Sequence, residues 1–122
     1  METKNTPGSD QSSSDNKQVG EIAFVDFYFE GFSEDATEVT LQAGREYTIK
    51  SIIGNICEKR EFNWLIWGAT PTSPTTPHAK VKFNQPGIFS VELNLRTSHV
   101  GGGSVCSSNG ERKKVNYVRV VK

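Results

Sequence analysis

The sequence has little of what marks an enzyme. It contains two histidines, two cysteines and one methionine, and none of them stands in an HxH, HExxH or CxxC spacing, so a metal-binding signature is missing. No GxSxG elbow surrounds a serine, neither cysteine lies in a known catalytic context, and nothing singles out a pair of carboxylates for acid–base work. Glu34, Asp35 and Glu38 lie in or beside a turn segment, where acidic residues serve the backbone. Gly101-Gly102-Gly103-Ser104 is not a phosphate loop, because the GxxxxGK[ST] spacing is absent and no helical pattern follows. A non-enzyme without cofactor or metal is expected. Net charge is missing too: 14 basic residues balance 14 acidic ones, so no overall field draws the chain to nucleic acid or an anionic membrane. No apolar run approaches the roughly 20 residues of a membrane helix. No Asn-x-Ser/Thr acceptor occurs, which favours a bacterial surface protein over a glycosylated eukaryotic one.

The amino end is poor in apolar residues. Residues 1–19 are Ser, Asn, Asp, Glu, Gln, Lys, Thr, Gly and Pro, with Val19 the one clearly apolar side chain after Met1. Such a stretch buries too little apolar surface to offset its ordering entropy, so a disordered tether is expected at 1–19 and a single folded domain at 20–122. METKNTPGSD lacks the basic start and apolar core of a signal peptide. The chain is then either cytosolic or a mature form whose leader has been removed, with Met1 not native. The tether composition favours the second, an extracellular or cell-surface location, lipid-anchored through that leader.

What is present is period-two alternation with aromatic and β-branched residues, the pattern of strands with one buried face. In EIAFVDFYF, Val25, Phe27 and Phe29 make one face, and Ile22, Phe24 and Tyr28 the other. Thr37–Leu41 and Arg45–Ile53 read as strands separated by a hairpin-like break at Gln42-Ala43-Gly44. Phe62–Trp67, Ala79–Phe83 and Phe89–Leu95 follow, then a long loop from Arg96 to Lys114 and a last strand at Val115–Val121. No stretch holds a 3.6-residue period. The expectation is an all-β, immunoglobulin-like antiparallel sandwich of about seven strands.

Trp67-Gly68 after an apolar strand, a Pro-rich loop, the aromatic Phe83, and then Pro86-Gly87-Ile88-Phe89-Ser90-Val91 together resemble the PKD (polycystic kidney disease) domain. The resemblance covers residues 22 to 121 and is specific between 65 and 95. Leu65 stands where the family usually has Trp, and Ala69-Thr70 replace its Asp-Gly, so the chain is similar to a divergent member and inherits none of the calcium sites of some relatives. Two registers compete for the Trp strand. Alternation puts Phe62, Trp64 and Ile66 in the core; the resemblance puts Leu65 and Trp67 there and turns Trp64 outward. The resemblance implies the second, with Trp64 as the exposed aromatic anchor.

The resemblance further implies a non-catalytic extracellular module that contacts protein or glycan at a bacterial cell surface, or else a structural spacer, or an accessory domain of a secreted polysaccharide- or protein-degrading enzyme. Ligand-contact candidates are Trp64 and Trp67, which are suited to stacking, and the basic residues Lys59, Arg60, Arg112 and Lys113 flanking two cysteine-bearing loops. If those loops share one end of the sandwich, the cations form one patch able to attract a sulfated or carboxylated polymer. Cys57 and Cys106 would then also meet as a disulfide, the alternative being two free thiols. Oligomeric state is left open.

Overall fold

A computed structural model describes residues 21–101 and 104–122; the tether expected at 1–19 lies outside them. The elements are β1 (Glu21–Ile22), β2 (Phe24–Phe29), β3 (Val39–Gln42), β4 (Glu46–Gly54), β5 (Lys59–Ile66), β6 (Ala69–Thr70), β7 (His78–Phe83), β8 (Gly87–Gly101) and β9 (Ser104–Val121), with no helix among them. Two sheets face each other. One runs β2-β4-β7-β6 and the other β1-β9-β8-β5, with β3 joining β9. With β2, β4, β7 and β6 as A, B, E and D, and β5, β8 and β9 as C, F and G, this is the immunoglobulin-like sandwich. It is mixed rather than wholly antiparallel, because β1 and β3 both lie parallel to β9.

Alternation decides what the sheets bury. Val25, Phe27 and Phe29 of β2 are buried, and so are Ala79, Val81 and Phe83 of β7 and Val91, Leu93 and Leu95 of β8. Phe62, Trp64 and Ile66 of β5 join them, while Leu65 and Trp67 are turned to the surface. The outward Trp64 expected from the resemblance is therefore corrected. A strand cannot send Phe62 and Ile66 inward and Trp64 outward without a bulge, and β5 pairs with β8 without a break from Lys59 to Ile66. Trp64 meets Phe27 edge-on, centroids 5.5 Å apart. Its indole N–H donates to the Thr76 carbonyl at 2.8 Å. The Pro-rich loop also seals the outer edge of β5: the N–H groups of Trp64 and Ile66 donate to the carbonyls of Pro74 and Thr72. That pairing covers an edge otherwise open to another chain.

Two connections differ from expectation. Gln42-Ala43-Gly44 is not a hairpin: β3 pairs with β9 in one sheet and β4 with β2 and β7 in the other, so the chain crosses between layers there. Arg96–Lys114 is not a loop. It is the outer half of a β8–β9 hairpin whose pairing continues to Gly101↔Ser104. Cys57 and Cys106, with Cα atoms 6.0 Å apart, are bonded near the tip of this extension, where Cys106 pairs with His99. Beside the bond, the buried Thr97 hydroxyl accepts from the Cys57 N–H at 3.0 Å and donates to the Ser108 carbonyl at 2.7 Å.

The residues that carry the PKD resemblance form one cluster. Phe83 and Phe89 stack with centroids 5.7 Å apart. Gly68, at φ 82°, lies against the Phe89 ring so closely that an added Cβ would stand 2.5 Å from it. Gly87, at φ 155°, would bring a Cβ to 2.9 Å of the same ring. Both positions require glycine for backbone and for space.

One core group is unsatisfied. Tyr117 is fully buried between Phe27 and Phe29, and its hydroxyl lies beside the Phe29 backbone without a hydrogen-bond partner among the described residues. Burial pushes its pKa up from 10.0 to about 12; the Phe29 backbone opposes the shift and the Asp26 charge adds to it. A raised folded-state value gives stability that is fully present below the unfolded value and is lost as pH rises through the folded one. Between pH 10 and 12 the protein is expected to lose about 2 kcal/mol from this group. Tyr117→Phe removes the orphan hydroxyl, so it is expected to stabilise by about 1 kcal/mol at neutral pH and to flatten the alkaline loss. Urea midpoints at pH 9 and pH 12 check both; a variant as alkali-sensitive as the parent rules the hydroxyl out as the cause.

Candidate functional site

The outer face of the β5-β8-β9 sheet carries the candidates, in rows set by the register. Lys59–Ser98–Ser107 comes first, then Glu61–Arg96–Asn109, Asn63–Asn94–Glu111 and Leu65–Glu92–Lys113. Beyond the last row Trp67 follows the end of β5, its N–H donating to the Ser90 carbonyl at 3.3 Å. The face is thus graded, basic and hydroxyl-bearing at the disulfide end and apolar at the other.

At the apolar end Trp67 is 38 % exposed, with Leu65, Ile88 and Val115 also open to solvent. Trp67, Ile88, Phe89, Ser90, Lys113 and Val115 line a shallow depression of about 350 Å³. The Lys113 ammonium stands 5.4 Å from the Trp67 ring centroid, a cation–π distance. The Trp67 backbone is tied to Ser90 and its ring is covered by that cation.

The four basic candidates do not form one patch. Ser107, in the Lys59 row, and Lys113 are six positions apart on β9, roughly 20 Å along a strand. Arg112 and Lys113 alternate about β9, so only Lys113 joins the outer face. Arg112 turns towards the sandwich edge, where its Nε lies 3.6 Å from Asp26 Oδ1. Lys114 is bound there more firmly, with Nζ 3.0 Å from the same oxygen and 2.7 Å from the Phe27 carbonyl. It also stands 4.8 Å from the Phe27 and Tyr117 ring centroids. Inward charges on a stretch of edge between β1 and β3 oppose strand addition by another chain. Both cations stand at this edge, Lys114 largely buried and Arg112 half-exposed.

Lys59 and Arg60 meet different company. With Glu61, Arg96, Ser98, Ser107 and Asn109 they line a second depression, of about 420 Å³. Sequence reasoning missed Arg96 because it opens a stretch without apolar alternation; the Thr97-Ser98-His99 pattern facing Ser107-Ser108 hides a strand whose inner face is polar. The histidines take structural partners: His78 Nδ1 accepts from the Ser51 N–H at 3.4 Å, and His99 Nδ1 lies 2.9 Å from Glu58 Oε1. Among the described residues no cluster of His, Cys, Asp and Glu is arranged to hold a metal ion, and no helix is long and apolar enough to cross a membrane. Comparison with protein-family models, with curated proteins and with solved structures returns no match.

Proposed function

We propose that this domain is a divergent PKD-like, non-catalytic module of a bacterial cell surface, and that it contacts protein or carbohydrate through the outer face of the β5-β8-β9 sheet. The observation that carries the reading is the exposed Trp67 ring, fixed on a rigid sheet beside Lys113 and bordered by Leu65, Ile88 and Val115. A tryptophan held this way offers contact area at low entropic cost, either to the face of a sugar ring or to a partner's anchor residue. A spacer has no use for such a patch and would clothe its outer faces in polar side chains. The glycine-lined Phe83–Phe89 cluster supports the PKD kinship, and the disulfide suits an oxidising compartment.

A glycan array spanning neutral, carboxylated and sulfated chains, run on the parent and on Trp67→Ala, tests the reading. Trp67→Ala is expected to cost about 1 kcal/mol of stability or less, because the ring is already partly in water. It should weaken a neutral-glycan hit by about tenfold or more. A blank array directs the contact to protein; neutral-glycan hits unchanged by Trp67→Ala overturn the role given to the Trp67 end of this face.

A further inference from the structure

We propose a second, separate site on the same sheet: the depression at the disulfide end, built on Lys59 and Arg96, binds the sulfate or carboxylate substituents of an acidic polysaccharide. It does not depend on the role of Trp67.

Charge is the first argument. On the outer face this depression carries two cations, Lys59 and Arg96, and one carboxylate, Glu61, while the chain as a whole is neutral. Arg60, opposite the buried Thr97, alternates to the other side of β5. Some cations elsewhere are paired, Lys50 with Glu30, Arg112 and Lys114 with Asp26, and Arg119 with Glu38. Among the described residues no carboxylate lies within 4.0 Å of Lys59, Arg60 or Arg96, Glu61 opposite Arg96 included. No carboxylate among the described residues thus competes there with an incoming anion. The Arg96 guanidinium supplies the planar fork that matches both carboxylate and sulfate oxygens, and Lys59 adds a point charge.

The neutral lining is the second argument. Ser98, Ser107 and Asn109 contribute hydroxyl and amide groups in the two rows nearest these cations. Such groups exchange hydrogen bonds with sugar hydroxyls, and the depression holds no aromatic ring on which a nucleobase could stack. An anionic polyol fits this lining better than a polynucleotide does.

Preorganisation is the third. Lys59 follows Cys57 by two positions and Ser107 is adjacent to Cys106, so the disulfide ties the two walls of the depression together. Arg96 stands on the strand between them, paired on both sides. The cationic groups are thus carried on a fixed frame, which lowers the ordering cost of binding.

The test measures binding of dextran sulfate, carboxymethyl dextran and plain dextran to the oxidised chain by calorimetry at low and physiological salt. At least one of the two charged polymers is expected to bind, more weakly as salt rises, and plain dextran is not. Arg96→Glu and Lys59→Glu should each weaken that binding by about tenfold or more, whereas Trp67→Ala and the charge control Lys80→Glu, on the exposed face of β7, should change it less than about threefold. Thermal melts of each variant establish that it is folded. Failure of both charged polymers to bind overturns the proposal. So does an equal loss in Lys80→Glu, or binding of a polyphosphate of matched charge as tight as that of the polysaccharides, since either reduces the site to unspecific charge.

Discussion

Replacing Trp64 with alanine is expected to remove about 4 kcal/mol of stability, near the upper range for deleting a buried aromatic ring. Trp64 is 1 % exposed and heads the largest side chains of the core. It packs edge-on against Phe27, which in turn contacts Tyr117, so a cavity here lies at the meeting point of both sheets. The lost indole also leaves the Thr76 carbonyl without its donor and frees the loop that seals the β5 edge. A domain of this size has about 5–15 kcal/mol in all, so the variant should be marginal at 37 °C. Trp64→Phe keeps most of the volume and should recover well over half of that loss, while still giving up the Thr76 bond. Urea midpoints for both variants, beside Trp67→Ala, give the comparison. A Trp64→Ala midpoint close to that of Trp67→Ala contradicts the buried register.

The Trp strand also shows where sequence reading held and where it did not. Phe62, Trp64 and Ile66 declare their face by alternation alone, and the sheet obeys it. The family pattern pointed the other way because it was aligned on Trp67-Gly68, and Gly68 answers to a different need, the close approach of the Phe89 ring. Strands that span the facing layers were legible for the same reason: Val25-Phe27-Phe29 and Ala79-Val81-Phe83 each have an apolar sheet opposite them. The outer halves of β8 and β9 were not. There the inner face meets the β4–β5 connection rather than a sheet, and its buried positions are Thr97 and Ser108, which bond to Cys57, Asn55 and each other. A strand with a polar inner face carries no hydrophobic period to read. The partner of β3 was equally hidden, since its parallel pairing with β9 joins Val39 to Val118 across most of the chain.

The candidate site divides along the same line. Trp67, Lys59 and Arg60 were visible as residue types suited to contact. Their grouping depends on the β8 register, which sets Arg96 opposite Glu61 and Ser98 opposite Lys59. That register lies in the half of the hairpin that looked like loop, so Arg112 and Lys113 were grouped with Lys59 and Arg60 by sequence position near the cysteines. The strand places them roughly 20 Å apart instead, and sends Arg112 to Asp26.

Removing the disulfide, by Cys57→Ala with Cys106→Ala, is expected to cost about 4 kcal/mol, the chain-entropy value for freeing a loop of this span. The bond joins residues 49 apart, and the loop it closes contains β5, β6, β7 and β8, so the unfolded chain gains freedom over nearly half its length. The folded state loses little in exchange, because the Thr97 hydroxyl still bridges residue 57 and Ser108 through backbone groups that alanine retains. The effect is thus expected mainly on the unfolded side. It should appear as a lower urea midpoint together with a larger m-value, the mark of a more expanded unfolded chain. Two observations decide it. Intact mass of the parent after alkylation under non-reducing denaturant should show no adduct; two adducts mean the bond is absent. A double variant within about 1 kcal/mol of the parent means that the unfolded chain is already held compact without it.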